Sequence, residues 1–150
     1  MSKVIDSVAR QKTAEALRHF AAGRISNFEF EESIPDSDDP VIAAIRSSVW
    51  CFYDDFEEHR MKKDKALSED EKRCICRWIM FLYTNQSYCW PSFSCPGIRP
   101  LKHSFLSRLL RRHKFEKAFM SFGEYEDWPF ISEAAYLEAK RLPKLLSGNI

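Results

Sequence analysis

The chain has 150 residues, of which 45% are hydrophobic and 14% aromatic, with only four Gly and seven Pro; this composition predicts one folded domain and excludes disordered, collagen-like and low-complexity proteins. The 23 Lys and Arg nearly balance the 22 Asp and Glu, so the net charge does not indicate a polyanion as partner. Because the sequence shows neither a long apolar run nor a secretory leader, we expect no membrane span, a cytoplasmic location and five reduced cysteines.

Helix signals dominate the first half of the chain. A first helix is predicted over Lys3–Ala22, with Gly23 as its left-handed cap. Three further helices are expected after Ser26, Asp39 and Ser68, where capping residues precede apolar residues at helical spacing. The residues predicted to face the core are Val4, Val8, Leu17 and Phe20 in the first helix, Ile42, Ile45, Val49, Phe52 and Phe56 in the third, and Ile75, Trp78, Ile79 and Leu82 in the fourth.

The second half of the chain predicts a packed loop followed by helices. Proline and glycine exclude a regular helix over residues 84–100, whereas aromatic residues such as Trp90 favour burial of this loop. Helical spacing returns over residues 106–122, as one helix or a kinked pair, and a last helix is expected near Ser132. Since strand signals are almost absent, the sequence predicts an all-α domain over residues 1–150, a compact irregular bundle of about six to eight short helices.

Acidic residues concentrate in two segments, residues 29–39 and 54–58. If the fold brings these segments together, they form a negative surface complementary to a basic protein. The residues predicted to bind such a partner are Glu31, Glu32, Asp36, Asp54, Asp55, Glu57 and Glu58. The alternative is that acidic side chains cap helices and keep the surface soluble, and capping is favoured for Asp38 and Asp39.

Basic residues concentrate in residues 99–120, which hold seven basic residues and one acidic residue. Within this segment Arg108, Arg111 and Arg112 have the spacing of one helix face. Such a face would bind the phosphates of a nucleic acid, but the same pattern is typical of the solvated side of any amphipathic helix. The sequence leaves both interpretations open.

No complete catalytic or metal-binding motif is present. Cys74 and Cys76 would point to different sides of one helix, which does not suit a tetrahedral zinc site. Cys51 and His59 are eight residues apart on the predicted third helix, about 12 Å along its axis, which is too far for a nucleophile and its base. We therefore expect neither enzyme activity nor a metal or other cofactor.

The spacing Arg108-x4-His113 is similar to the R-x4-6-H signature of the HEPN ribonucleases, in which Arg and His from two protomers meet at a dimer cleft. The match is loose, because Leu109 stands where that family usually has a polar residue. The spacing also places His113 on the apolar side of the predicted helix, which favours a core histidine. A HEPN-like ribonuclease is thus an alternative to a binding protein.

Several segments resemble a group of small, poorly characterised bacterial helical proteins, some of which look like immunity proteins of contact-dependent growth inhibition and related toxin systems. The segments are His19–Glu31, Asp39–Ile42, Trp50 with Tyr53–Asp55, Arg77–Leu82 and Tyr88–Pro91. The resemblance covers residues 15–91 and implies a bacterial cytoplasmic protein that binds and blocks a cognate toxin, commonly a nuclease. Since immunity proteins share no binding motif, the resemblance assigns no residue a role; the acidic residues indicate a basic toxin, for example a ribonuclease.

Overall fold

In the computed structural model, which describes residues 4–53, 55–98 and 111–142, the chain forms six α-helices. They are α1 (Ser7–Ala21), α2 (Asn27–Ser33), α3 (Pro40–Trp50), α4 (Glu69–Leu82), α5 (Arg112–Met120) and α6 (Glu133–Lys140), with short 3-10 helices at Lys63–Lys65 and Tyr125–Asp127. Among these residues the pairing of extended backbone is limited to one isolated bridge between Ser26 and Arg60. The prediction of an all-α fold is confirmed.

Helix α1 organises the packing, because it contacts α2, α3 and, most extensively, α4, which also contacts α6. The largest fully buried side chains are Trp78, Trp128, Arg10, Phe20, Phe30, Phe81 and Phe130. They belong to the helices just named and to the segment before α6, so one core serves both halves of the described chain. Within the described ranges no helix is long and apolar enough to cross a membrane.

The predicted starts of α2, α3, α4 and α6 are confirmed. Ser26 and Ser68 each form a capping box with the Glu three residues later, which opens α2 and α4. Asp39 caps α3 ahead of a proline at the first helical position, and Ser132 caps α6. Gly23 follows α1 with φ of 70°, in the left-handed region where a glycine carries no Cβ penalty.

The predicted apolar face of α1 is wrong at its N-terminal end. Val4 and Val8 are 50% and 66% exposed, and α1 begins only after the Asp6 cap. The buried positions in this turn are instead Ala9 and Arg10, and Arg10 has no exposed surface. Its guanidinium is buried because it pairs with the Asp39 carboxylate at 2.6 Å, which rotates the core-facing side of α1 away from the valines.

Helix α3 ends earlier than its apolar spacing predicts. The helix stops at Trp50, where the backbone N–H groups of Cys51 and Phe52 bond to carbonyls three residues back. Phe52 still packs, with its ring stacked on Trp78 at 5.6 Å between centroids. Phe56 is 90% exposed, so its predicted place in the core is wrong.

The predicted packed loop before α5 is confirmed for residues 84–98. Trp90 is 3% exposed, and its ring lies against Phe119 and Tyr125 with centroid distances of 5.2 and 6.0 Å. Its indole N–H donates to the Phe130 carbonyl at 3.2 Å. The loop therefore joins α5 to the segment before α6, while the predicted helical residues Leu106, Leu109 and Leu110 lie outside the described residues.

Candidate partner-binding site

Hydrogen bonds hold the end of the second acidic segment against the start of α2. The backbone N–H of Asn27 donates to the His59 carbonyl at 3.0 Å, and the His59 N–H donates back to the Asn27 side chain at 2.9 Å. The Asn27 amide also donates to the Glu57 carbonyl at 3.0 Å, and the Ser26 hydroxyl donates to the Glu58 carboxylate at 2.6 Å. The segment that holds Glu57 and Glu58 therefore lies beside the N-terminus of α2, the helix that carries the first acidic segment.

Beside this junction, α2 and α3 enclose an open groove of about 470 Å³, here called the α2–α3 groove. It is lined by Phe28 and Glu31 from α2, by Ala43, Arg46, Ser47 and Trp50 from α3, and by Tyr53 and Asp55 from the chain that follows. Phe28 and Trp50 are 41% and 52% exposed. Two half-exposed aromatic rings in one concave site are typical of a surface that binds another protein.

Glu31 is the charged centre of the groove. It accepts a hydrogen bond from the Tyr53 hydroxyl and another from Arg46 Nε at 3.0 Å, so one carboxylate ties α2 to α3 and to the chain beyond α3. Burial and the hydrogen bond to this carboxylate raise the pKa of Tyr53, so its hydroxyl stays protonated and remains a donor. Asp55 lines the same groove and has no ion-pair partner among the described residues.

The remaining predicted partner-binding residues lie around the groove or away from it. Glu32 is exposed on α2, and Glu57 is exposed at the junction with α2. Asp36 is exposed in the connection between α2 and α3, beyond the end of α2, and does not line the groove. Asp54 lies outside the described residues.

Sequence reasoning missed the two aromatic side chains that make this site distinctive. In the sequence Trp50 widens the apolar stripe of α3, yet the buried residues of that helix are Val41, Ile42, Ile45, Ser48 and Val49. Trp50 directly follows Val49 and is therefore rotated about 100° from it around the helix axis. Buried neighbours such as Val41 and Ile42 are offset by the same angle, so spacing alone does not predict an exposed ring at Trp50.

The predicted basic face is not continuous at Arg111. This residue has φ of 59°, in the left-handed region, and α5 begins only at Arg112. Arg111 and Arg112 are both exposed, and Arg108 lies outside the described residues. His113 is exposed, so its predicted place in the core is wrong.

The early end of α3 changes the relation between Cys51 and His59. Both residues line a cavity of about 400 Å³ together with Asp64 and Glu71, because the chain turns back after Trp50 instead of continuing as a helix. Cys51 Sγ contacts the Ser47 carbonyl at 3.8 Å, and His59 Nδ1 lies 2.9 Å from the Glu57 carbonyl. Within the described residues, no group of three or more His, Cys, Asp or Glu side chains has an arrangement that could hold a metal ion.

Comparison with protein-family models, with curated proteins and with solved structures finds no match to this chain. The site is therefore interpreted from its own geometry. The groove combines exposed aromatic rings with carboxylates.

Proposed function

We propose that this chain is a non-enzymatic binding protein, an immunity protein that neutralises a cognate toxin by covering the toxin's basic active-site cleft. The observation that carries the proposal is the α2–α3 groove, in which exposed Phe28 and Trp50 lie beside the carboxylates of Glu31 and Asp55. A few residues, enriched in Trp, Tyr and Arg, supply most of the binding energy in protein interfaces, and complementary charge supplies specificity and fast association.

A nuclease is the class of toxin that this surface suits best. A nuclease holds the phosphates of its substrate with Lys and Arg, so its cleft is positively charged. A protein that places carboxylates in the cleft excludes the substrate by occupying the same cationic groups, without any chemical step. The segment of exposed Glu57 and Glu58 lies at the start of α2 and extends the negative surface beyond the groove.

The resemblance to immunity proteins of contact-dependent growth inhibition supports a bacterial, cytoplasmic setting for this activity. It covers residues 15–91, and every residue that lines the groove falls within that range. The groove presents aromatic rings and carboxylates, which suits inhibition by occupation of the toxin's cleft.

The experiment that tests the proposal combines capture with inhibition. The tagged chain is incubated with nuclease-treated extract of the organism that encodes it, and the retained proteins are identified by mass spectrometry. The captured protein is then expressed alone and assayed for growth arrest and for nuclease activity. We expect it to arrest growth, and we expect an equimolar amount of the chain to abolish its activity.

Two outcomes contradict the proposal. One is a captured partner whose expression leaves growth unchanged. The other is recovery of nucleic acid, without nuclease treatment, that is lost as salt increases; this would favour a nucleic-acid-binding protein that uses the segment 99–117, because phosphate contacts weaken steeply with salt.

A further inference from the structure

The α2–α3 groove presents two kinds of binding group, aromatic rings and carboxylates. The exposed rings of Phe28 and Trp50 present aromatic surface, whereas Glu31 and Asp55 present carboxylate oxygens. One common side chain satisfies both. The guanidinium of arginine is planar, stacks on aromatic faces and donates paired hydrogen bonds to a carboxylate, and it loses little hydration when it is buried.

We infer that the groove binds an arginine side chain of the partner protein, whose guanidinium stacks on Trp50 and donates to Asp55. The inference rests on the proposed function for the protein that carries the arginine, and it names the anchor of that interface. The groove volume of about 470 Å³ lies within the range of ordinary ligand pockets, about 300–1,000 Å³.

One guanidinium already lines this groove and pairs with a carboxylate there. Arg46 lines it and donates to the Glu31 carboxylate, with Nε and Nη2 each 3.0 Å from Oε2. Glu31 is thereby engaged, both by Arg46 and by the Tyr53 hydroxyl. Asp55 has no ion-pair partner among the described residues, so a second guanidinium is attracted to Asp55.

The charge of Asp55 favours arginine over a purely apolar side chain as the occupant of the groove. A leucine or phenylalanine would cover Trp50 and Phe28 but would exclude water from the Asp55 carboxylate without giving it a donor, which is unfavourable. A cation covers the same rings and pairs the carboxylate. The groove is thus selective for a long basic side chain with an apolar stem.

The test uses the isolated chain and a small probe, the peptide acetyl-Gly-Arg-Gly-amide, with its citrulline analogue as an uncharged control of the same shape. Trp50 is a selective reporter, since it is 52% exposed while Trp78, Trp90 and Trp128 are at most 3% exposed. The titration follows the indole N–H resonance of Trp50 by NMR. We expect a saturable shift with a dissociation constant of about 1 mM, and binding of the citrulline peptide weaker by about fivefold or more.

Two variants locate the contact. Asp55→Asn removes the charge from an exposed side chain and is expected to reduce binding of the arginine peptide to the level of the citrulline peptide. Glu138→Gln makes the same change on exposed α6 and is expected to leave binding unchanged. Circular dichroism of both variants verifies the fold.

The inference is overturned if the shift of the Trp50 resonance does not saturate, or if both peptides shift the resonance equally. It is also overturned if the resonance shifts with protein concentration alone, because that would show that a second copy of the chain covers the groove. These results are independent of toxin capture. If the chain binds the arginine peptide but inhibits no toxin, the arginine site stands and the proposed function fails. If the chain inhibits a toxin but does not bind the peptide, the proposed function stands and the arginine site fails.

Discussion

The buried guanidinium of Arg10 connects three parts of the fold. It pairs with Asp39 and donates to the carbonyls of Thr84 and Gln86 at 3.0 and 2.8 Å, while its planar group lies 5.1 Å from the centre of the Phe81 ring. The Asp39 carboxylate also caps α3. One charge pair thus joins α1 to the start of α3 and to the end of α4, and each partner is satisfied by the other.

Removing one member of this pair should be strongly destabilising. In Arg10→Met the Asp39 carboxylate remains buried without its cation, and we expect the free energy of unfolding to fall by about 3–5 kcal/mol. The control is Arg46→Met, which removes a pair whose side chains are 46% and 31% exposed and should cost about 0–1 kcal/mol. Urea unfolding followed by circular dichroism measures both changes in the free energy of unfolding. Equal changes would show that burial does not increase the contribution of the Arg10–Asp39 pair.

Asp127 lies among three other acidic residues, Glu124, Glu126 and Glu133. Burial, and then these neighbouring carboxylates, raise the pKa of Asp127 above its ordinary 3.8, although Arg77 opposes the shift. A pKa that is higher in the folded state means that the ionised form costs stability at neutral pH, and that this cost disappears as pH falls towards 3.8.

Asp127→Asn should therefore be more stable than the natural chain at pH 7. The advantage should shrink as pH is lowered towards 3.8 and vanish well below that value, where the natural carboxyl is protonated in both states. Urea unfolding at a series of pH values gives the difference directly. A difference that is independent of pH, or one that grows in acid, would show that the Asp127 carboxylate is favourable as an anion.

At the scale of helices, the starts could be predicted from the sequence but the end of α3 could not. The caps at Ser26, Asp39 and Ser68 use hydrogen bonds that span two or three residues, so short spacings in the sequence reveal them. The end of α3 has no glycine or proline. It is fixed by distant contacts, among them the stacking of Phe52 on Trp78, which local spacing does not contain.

The residues of the candidate site also differ in whether their exposure could be predicted from the sequence. Glu31 and Asp55 could be predicted because charged residues are nearly always at the surface. Phe28 and Trp50 could not, since the exposure of an aromatic ring depends on how α2 lies against α3. Burial of Arg10 was equally hidden, because an arginine in a helix is ordinarily solvated and only its tertiary partners show otherwise.

Ser26 at the start of α2 and Ser68 at the start of α4 cap their helices in different surroundings. Ser26 both caps α2 and donates to Glu58 at 2.6 Å, whereas Ser68 caps α4 through the same type of box at an exposed position. Ser68→Ala should cost about 0.5–2 kcal/mol, the usual range for loss of a cap. Ser26→Ala should cost measurably more, because the Glu58 contact is lost as well.

Urea unfolding of both serine variants provides the comparison. If Ser26→Ala costs no more than Ser68→Ala, the hydrogen bond to Glu58 does not stabilise the junction of the two acidic segments. A further variant, Ser26→Ala combined with Glu58→Gln, should cost little more than Ser26→Ala alone, because residues that share one bond are not additive.

At the scale of the whole molecule, a formal net charge of +1 conceals an uneven distribution. Carboxylates from two segments meet at α2 and the chain after α3, where Arg46 and Arg60 each pair with a glutamate of α2. A long-range attraction to a basic partner therefore depends on where charge lies and not on its sum. Salt screens such attraction over about 8 Å at physiological ionic strength.

Charge reversal at the junction separates this attraction from a general effect of net charge. We expect Asp55→Lys combined with Glu57→Lys to slow association with the captured toxin by about 10–100-fold at low salt, and the deficit to shrink as salt increases. The matched control, Glu15→Lys with Glu138→Lys, changes the net charge equally at exposed positions on α1 and α6. Association rates are measured by stopped flow, with circular dichroism to verify the fold. If both pairs slow association equally, the toxin responds to the net charge of the molecule and the acidic surface at the groove does not direct its approach.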